Sequence, residues 1–182
     1  DEGRAVAVDQ DGNVFVTGYT DSANFSGRIN ENYGGAYDAF LVKVLPNGMV
    51  DWMIYLGGGG YDMGTAVAVD GAGNVLVTGR TDSSNFAGRI NSYQSGDDAF
   101  VAKVNTSGSV LWMTYLGGAF PDRGYGIAID NAGNAIVSGE TNSTNFTGRN
   151  NSFHGTFSTV DAFVVKVSAA GAVQWMTYLG GT

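Results

Sequence analysis

The sequence predicts an all-β protein that consists of three copies of one unit of about 60 residues. The segment GRAVAVDQDGNVFVTG, which begins at Gly3, returns at Gly64 and at Gly124, so the offsets are 61 and 60 residues. A second segment, DAFLVKVLPNGMVDWMIYLGG (38–58), returns at 98–118 and at 161–181. Short apolar runs separated by Gly- and Asn-rich turns are typical of β-hairpins. No segment keeps a 3.6-residue apolar period, so essentially no helix is expected.

Four strands are predicted in each copy. In the first copy, strand A covers about residues 4–9, strand B 13–18, strand C 38–44 and strand D 50–56. The A–B turn is the run DQDGN, which becomes DGAGN and DNAGN in the other copies. Gly and Asn supply the backbone conformations that such tight turns need. Each copy therefore contains two hairpins, and a longer segment links strand B to strand C.

Strand D has apolar side chains on both of its faces, so both faces must be covered. Trp52 and Ile54 lie on one face, and Met53 and Tyr55 on the other. This suits a four-stranded blade packed between two others, and the period predicts a β-propeller. The predicted blades cover residues 1–61, 62–121 and 122–182. Trp52, Trp112 and Trp175 are expected to pack between blades rather than to stack on sugars.

The phrases AVAVDGAGNVLVTGRTDSSNF and DAFVAKVNTSGSVLWMTYLGG resemble the SBBP family of bacterial β-propeller repeats, three times over nearly the whole chain. The resemblance implies the propeller fold and an extracellular or surface-attached location, and it implies little about chemistry. One departure is visible after Phe25, Phe86 and Phe146. The family usually continues there with proline and a shorter connection, whereas this chain continues with a small residue and then Gly-Arg.

Three blades are fewer than the ~4–8 of a closed ring. The faces of the first and third blades would expose apolar side chains, and such faces mark interfaces. We therefore expect self-association, with two chains forming a six-bladed homodimer of which each chain is half. A longer parent chain and a head-to-tail assembly that grows as a fibre are the alternatives.

The segments between strands B and C are the longest connections: 19–37, 80–97 and 140–160. Each contains the phrase T-[DN]-S-x-N-F-x-G-R, and an up-down blade is expected to place it on the loop-rich rim with the D–A connections. An Arg fork with nearby amides suits a carboxylate or a sugar. The alternative is that these side chains hold the loop's own backbone. The candidate ligand-binding residues are Asn24, Arg28, Asn85, Arg89, Asn145 and Arg149.

Aspartates precede strand A and open strand C in every copy, and their carboxylates could meet near the same rim and hold Ca²⁺. The alternative is structural, with Asp accepting bonds from turn amides or pairing with loop arginines. These residues are Asp1, Asp38, Asp62, Asp98, Asp122 and Asp161. No other cofactor is predicted.

Two further sets of side chains recur in the sequence. Lys43, Lys103 and Lys166 of strand C are expected to run along the sheet and leave their amines in water. Asparagines in N-x-[ST] triplets are possible N-glycosylation acceptors. They are Asn24, Asn105, Asn142, Asn145 and Asn150.

Composition narrows the function classes. The net charge of −8 disfavours nucleic acid, and no apolar run approaches the ~20 residues of a membrane helix. The single histidine, His154, has no repeated partner, so nothing marks a catalytic centre. The sequence favours a non-catalytic extracellular binding or adhesion module that presents repeated loop sites to a glycan or surface polymer. A structural subunit of an extracellular filament or surface layer is the alternative, and a polysaccharide-acting enzyme is the third.

Overall fold

The computed structural model describes residues 1–31, 34–154 and 159–181. Within these ranges the chain forms β-strands and no helix, as the sequence predicts. The strands are β1 (Glu2–Val8), β2 (Val14–Thr20), β3 (Asp38–Val44), β4 (Val50–Leu56), β5 (Asp62–Val69), β6 (Val75–Thr81), β7 (Asp98–Val104), β8 (Val110–Leu116), β9 (Asp122–Ile129), β10 (Ala135–Thr141), β11 (Asp161–Val167) and β12 (Val173–Leu179). The described part contains no helix with the length and apolar character needed to cross a membrane.

Each copy folds into one antiparallel four-stranded sheet, with the strands in chain order: β1 to β4, β5 to β8 and β9 to β12. Strands C and D have the predicted bounds. Strand B reaches Thr20, two residues further than predicted, and strand A begins earlier, at Glu2. The three sheets are blades of an unclosed β-propeller, and the predicted fold class is confirmed.

The A–B turns repeat one hydrogen-bonding pattern. In the first copy, Oδ1 of Asp9 accepts bonds from the amides of Asp11 at 3.0 Å and Asn13 at 2.8 Å. Gly12 has a φ of 79°, which favours glycine over any residue with a Cβ. The side chains of Asp70 and Asp130 bond in the same way in the other two turns. The repeated D-x-x-G-N text is therefore a turn signal and not a metal loop.

The blades stack face to face, and on the inner side β1 adjoins β5 and β5 adjoins β9. The core between blades 1 and 2 joins the Trp52 face of the first sheet to the Phe100 face of the second. Nε1 of Trp52 donates to the carbonyl of Thr106 in the next blade at 3.2 Å, and Nε1 of Trp112 donates to Ala169 at 3.0 Å. The predicted inter-blade role is confirmed for Trp52 and Trp112, and for Trp175, in the last blade, it stays a prediction. We call each such interface a blade junction.

The B–C segments do not lie where the sequence placed them. Residues 27–29 run parallel to β4, the outermost strand of blade 1. The amide of Met53 donates to Gly27, and the amide of Ile29 donates to Met53, both at 2.9 Å. Equivalent parallel bridges join Arg89 to Met113 and Arg149 to Met176. The rim placement is therefore wrong for the Gly-Arg part of each segment, because the unpaired amides and carbonyls of an edge strand bind it instead.

A tyrosine of strand D also fixes each of these segments. The hydroxyl of Tyr55 donates to the carbonyl of Ser22 at 2.7 Å and accepts from the amide of Phe25 at 3.2 Å. The side chain of Asn30 bonds both the amide and the carbonyl of Tyr55. Tyr115 and Tyr178 anchor their own segments in the same way. Residues 32–33 and 155–158 of these segments lie outside the described residues.

Candidate functional site

Two buried aspartates meet at each blade junction. Asp38 opens β3 of blade 1, and Asp62 opens β5 of blade 2. Both carboxylates face Gly57 of the D–A connection, where a Cβ would collide with Oδ1 of Asp38 and Oδ2 of Asp62. Asp98 and Asp122 meet at Gly117 in the second junction. The structure thus brings together, across blades, aspartates that are far apart in the sequence.

The two members of a pair have different surroundings. Asp62 accepts bonds from the hydroxyl of Thr81, from that of Ser83 at 2.8 Å and from the amide of Gly58 at 2.9 Å. Oδ2 of Asp38 accepts one bond, from the amide of Gly34 at 3.2 Å. Within the described residues, Oδ1 of Asp38 is buried without a hydrogen-bond partner.

The second junction repeats this asymmetry. Asp122 accepts bonds from the hydroxyls of Thr141 and Ser143 and from the amide of Gly118. Oδ1 of Asp98 is buried without a partner in the described part of the chain. One carboxylate of each pair is therefore supplied with donors, and the other lacks a donor at one oxygen.

Burial raises the pKa of these carboxyl groups. The pKa of Asp38 and that of Asp98 are raised to about 7, mainly by burial and in part by the opposite carboxylate of each pair. Burial also raises the pKa of Asp122 to about 6, against the effect of its donors, and raises that of Asp62. Two like charges that share a buried site disfavour double ionisation. Each pair is suited to carry one proton.

The pairs fit a shared proton better than a calcium ion. Ca²⁺ takes about six to eight oxygen ligands, whereas in the described part of the chain each pair offers one carboxylate oxygen that accepts no other bond. The described residues contain no group of three or more Asp, Glu, His or Cys side chains that could hold a metal. Calcium at these aspartates stays a prediction.

The ends of the chain carry the two halves of a third pair. Asp161 is buried and faces Gly180, as Asp38 faces Gly57. At the other end, the hydroxyl of Thr20 donates to Asp1, as Thr81 donates to Asp62. Asp1 is exposed, with its side chain 51% accessible.

The asparagines of the NFxGR phrase contact the connection between blades. Oδ1 of Asn85 accepts a bond from the amide of Gly59 at 2.9 Å, and Oδ1 of Asn145 accepts one from Ala119 at 2.9 Å. Asn24, in the first copy, is exposed. Asn85 and Asn145 therefore hold backbone, which is the alternative to ligand binding for these residues.

The arginines of the same phrase lie on the outer edges and are exposed in all three copies. Nε of Arg28 is 3.7 Å from Oε1 of Glu31. Nη1 of Arg89 donates to the carbonyl of Phe86 at a long 3.5 Å. Arg149 holds the same position in blade 3, bridged to Met176. The structure thus separates the asparagines, at the blade connections, from the arginines, on the outer edges.

The sequence predicts that the amines of the strand C lysines lie in water, but in the structure they form ion pairs. Nζ of Lys103 is 2.9 Å from the carboxylate of Asp70, and that of Lys166 is 2.8 Å from Asp130, so both fix an A–B turn. Nζ of Lys43 pairs with Asp51 at 3.0 Å. The expectation that these amines lie in water is wrong, because strand C passes beside carboxylates of the A–B turn in blades 2 and 3 and of strand β4 in blade 1.

The N-x-[ST] asparagines differ in accessibility. Asn24, Asn145 and Asn150 are exposed. Asn105 is half-buried, and its Oδ1 accepts bonds from the C–D turn amides. Asn142 is also half-buried, and its Nδ2 donates to the carbonyl of Thr159 at 3.0 Å.

Sequence reasoning missed a group of side chains on the inner side of the blades. A groove of about 360 Å³ is lined there by Arg4, Met63, Thr65, Arg80, Arg123, Gly124 and Tyr125. Its arginines pair with acids: Arg80 with Asp97 at 2.8 Å, and Arg123 with Glu140 at 2.9 Å. The sequence contains a signal for this groove: Glu2, Met63 and Arg123 occupy one repeat position, and the residue type there differs in all three copies.

The sequence and the structure are similar to those of known proteins. The family model for SBBP, a β-propeller repeat, matches residues 1–26, 51–87 and 111–147, which together make more than half of the chain. An uncharacterized WD repeat-containing protein of Acanthamoeba polyphaga mimivirus is 29% identical over 150 residues, which cover 69% of this chain and only 11% of that protein. A crystal structure of a protein of unknown function from Bacteroides caccae aligns with a TM-score of 0.41 at 12% identity, over 97% of this chain and 67% of the other.

Proposed function

Because the chain belongs to the SBBP family of β-propeller repeats, we propose that it is a non-catalytic, extracellular or cell-surface module that binds a glycan or surface polymer. The observation that carries this proposal is a repeated arginine. Arg28, Arg89 and Arg149 are exposed at the same position of three blade edges, each on a segment bridged to strand D. Equivalent weak sites on one rigid scaffold bind a repeating polymer by avidity.

The surroundings of these arginines suit a saccharide. A guanidinium group presents several donors in a fixed plane to hydroxyl or carboxylate oxygens. Ile29 and Ile90 follow Arg28 and Arg89 and are 56% and 53% exposed. An exposed apolar side chain beside the N–H donors of a guanidinium group matches a sugar ring, which has an apolar face and a polar edge.

Two arguments support binding rather than catalysis. Three equivalent sites suit a repetitive ligand, whereas a catalytic centre needs one asymmetric constellation of groups. The second argument is that the chain resembles a WD repeat-containing protein, which is also a repeat protein. A propeller offers such proteins a rigid frame on which surface sites are carried.

The second candidate is a structural subunit of an extracellular filament or surface layer. Apolar side chains exposed at the two ends of the blade stack favour it: Val6 and Val8 are 64% and 60% accessible on blade 1, and Leu179 is 52% accessible on blade 3. Such faces serve as contacts between subunits.

A glycan array with neutral and uronate-containing polysaccharides tests the proposed function. The wild-type chain is expected to bind at least one polysaccharide, and the triple variant Arg28→Ala/Arg89→Ala/Arg149→Ala to lose at least tenfold in affinity. Arg4→Ala, which removes an arginine of the inner groove, is the matched control and is expected to bind normally. Unchanged binding by the triple variant would contradict the assignment of the site to these arginines. The absence of any binding by the wild-type chain would contradict the proposed glycan-binding function.

A further inference from the structure

We propose that blade 3 of one copy packs on blade 1 of a second copy, through the same junction that joins blades within the chain. Two chains then close a ring of six blades. This inference concerns the end faces of the stack and not the outer edges, so it does not rest on glycan binding.

The free face of blade 3 repeats a face that is buried in the other blades. Leu179 is 52% exposed, whereas its equivalents Leu56 and Leu116 are 1% and 0% exposed. Ala162 is exposed, whereas Ala39 and Ala99 are fully buried at the two internal junctions. Blade 3 therefore presents an intact junction surface.

The free face of blade 1 repeats the opposite side of the junction. Val6 is 64% exposed, whereas Val67, at the same repeat position, is 9% exposed and packs on blade 1. Val8 is 60% exposed, whereas its equivalent Val69 packs into the same cluster. The two free faces are thus complementary to each other in the way that adjoining blades are.

At each junction the glycine of a C–D turn leaves room for an isoleucine and a tryptophan of the preceding blade, and we call this space the glycine socket. A Cβ on Gly108 would lie 2.7 Å from Cδ1 of Ile29 and 3.2 Å from the Trp52 ring. One on Gly171 would lie 2.6 Å from Ile90 and 2.9 Å from Trp112.

The same socket is open at the end of the stack. A Cβ on Gly48 would meet no described atom within 4 Å. Trp175 is half-buried, whereas Trp52 and Trp112 are 5% and 7% exposed. The indole of Trp175 is the group that fits the Gly48 turn of a second copy, with Nε1 donating to the carbonyl of Pro46 there.

The carboxylate pair is incomplete without the second copy. Asp161 on blade 3 and Asp1 on blade 1 are the two halves of that pair, and Gly180 and Thr20 already stand in their junction positions. Docking blade 3 on blade 1 brings Asp161 opposite Asp1. The partner chain thereby supplies a residue that this site lacks.

A second copy is the occupant that matches both faces at once. Each face fits the other and not itself, so one contact leaves two further faces free. Using both faces closes a two-fold ring, and six blades fall within the ~4–8 of known propellers. A lone monomer, which is expected if further blades of a longer chain cover these faces, and an open head-to-tail fibre are the other outcomes of the test.

Sedimentation velocity over a dilution series tests the proposal. The wild-type chain is expected to form a dimer of twice its 18.9 kDa mass and no larger species. Gly48→Ala is expected to raise the dimer Kd at least tenfold, because the new methyl group occupies the socket for Trp175. Gly12→Ala is the matched control: its φ of 79° imposes the same backbone cost, but its Cβ would lie in ordinary contact, 3.7 Å from Pro46.

A second variant keeps the test decisive if Gly48→Ala folds poorly. Leu179→Asp changes a side chain that is already exposed in the single chain, so folding is expected to survive while the dimer is lost. A wild-type monomer at about 100 µM, or a Leu179→Asp protein that dimerises as wild type, would overturn the proposal. A ladder of growing oligomers would overturn the closed ring.

Discussion

Replacing Asp98 by Asn probes the buried carboxylate pair of the second junction. Asp98 is fully buried, one of its oxygens has no hydrogen-bond partner among the described residues, and Asp122 faces it across Gly117. The amide of Asn has nearly the shape of the protonated carboxyl group and does not ionise. Asp98→Asn therefore keeps the neutral form of this residue at every pH.

The magnitude follows from the pKa. Burial raises the pKa of Asp98 from 3.8 to about 7 in the folded chain. As the pH rises between these values, the unfolded chain loses this proton before the folded chain does, so the free energy of unfolding falls. The stabilisation is complete below pH 3.8 and is lost by about pH 7. The whole difference corresponds to at most about 4 kcal/mol.

Urea unfolding followed by tryptophan fluorescence at several pH values between about 4 and 8 measures the effect. The stability of Asp98→Asn relative to wild type is expected to increase steadily over this range. Asp11→Asn, in an exposed A–B turn, is the control that removes the same formal charge. Parallel pH curves for wild type and Asp98→Asn would refute the reasoning. Millimolar Ca²⁺ is expected to change neither curve; a stabilisation by Ca²⁺ that Asp98→Asn abolishes would assign the pair to calcium.

Two further predictions concern packing, and both are measured by denaturant unfolding at a dilution that keeps the chain monomeric. Trp112→Phe is expected to lower the free energy of unfolding by about 1 kcal/mol more than Trp175→Phe, because Trp112 donates to Ala169 of the neighbouring blade and Trp175 makes no such bond within the described chain; equal losses would contradict the junction hydrogen bond. Phe86→Ala is expected to cost about 3–5 kcal/mol, since Phe86 is fully buried. The loss for half-buried Phe25→Ala is expected to be smaller, and the reverse order would contradict the burial of this repeat position by the preceding blade.

Much of the scaffold was readable from the sequence. Strands C and D were readable as short apolar runs, 38–44 and 50–56, bounded by turn residues. The tryptophan in a strand apolar on both faces indicated blade stacking, and Trp52 and Trp112 lie at the junctions. The repetition made both predictions possible, because a residue that recurs at the same position of three copies is expected to have a similar environment in each.

The B–C segments were misplaced for a physical reason. A single parallel bridge such as that of Arg28 with Met53 leaves no periodic pattern in the sequence. The contacts that fix the segment are long-range and made by polar atoms, including the Tyr55 hydroxyl on Ser22. Tyr55 was expected only to pack. The edge pairing therefore depends on tertiary structure, and pattern analysis of one segment does not reveal it.

The aspartates show a different limit. Their repeat positions indicated that strand A and strand C carboxylates lie at one rim, but the sequence does not say which copies meet. In the structure Asp38 meets Asp62 of the next blade, because the D–A connection at Gly57 brings one blade onto the next. The inner groove is not marked by loops of variable length, because its residues vary in type at fixed strand positions.

One kind of junction occurs twice within each chain and, in the proposed ring, twice more between the two chains. Negative-stain electron microscopy of the purified chain tests this most directly, because class averages show how many blades surround the axis. We expect discs of six blades with two-fold symmetry. Three-bladed crescents or open fibres would contradict the closed junction between copies.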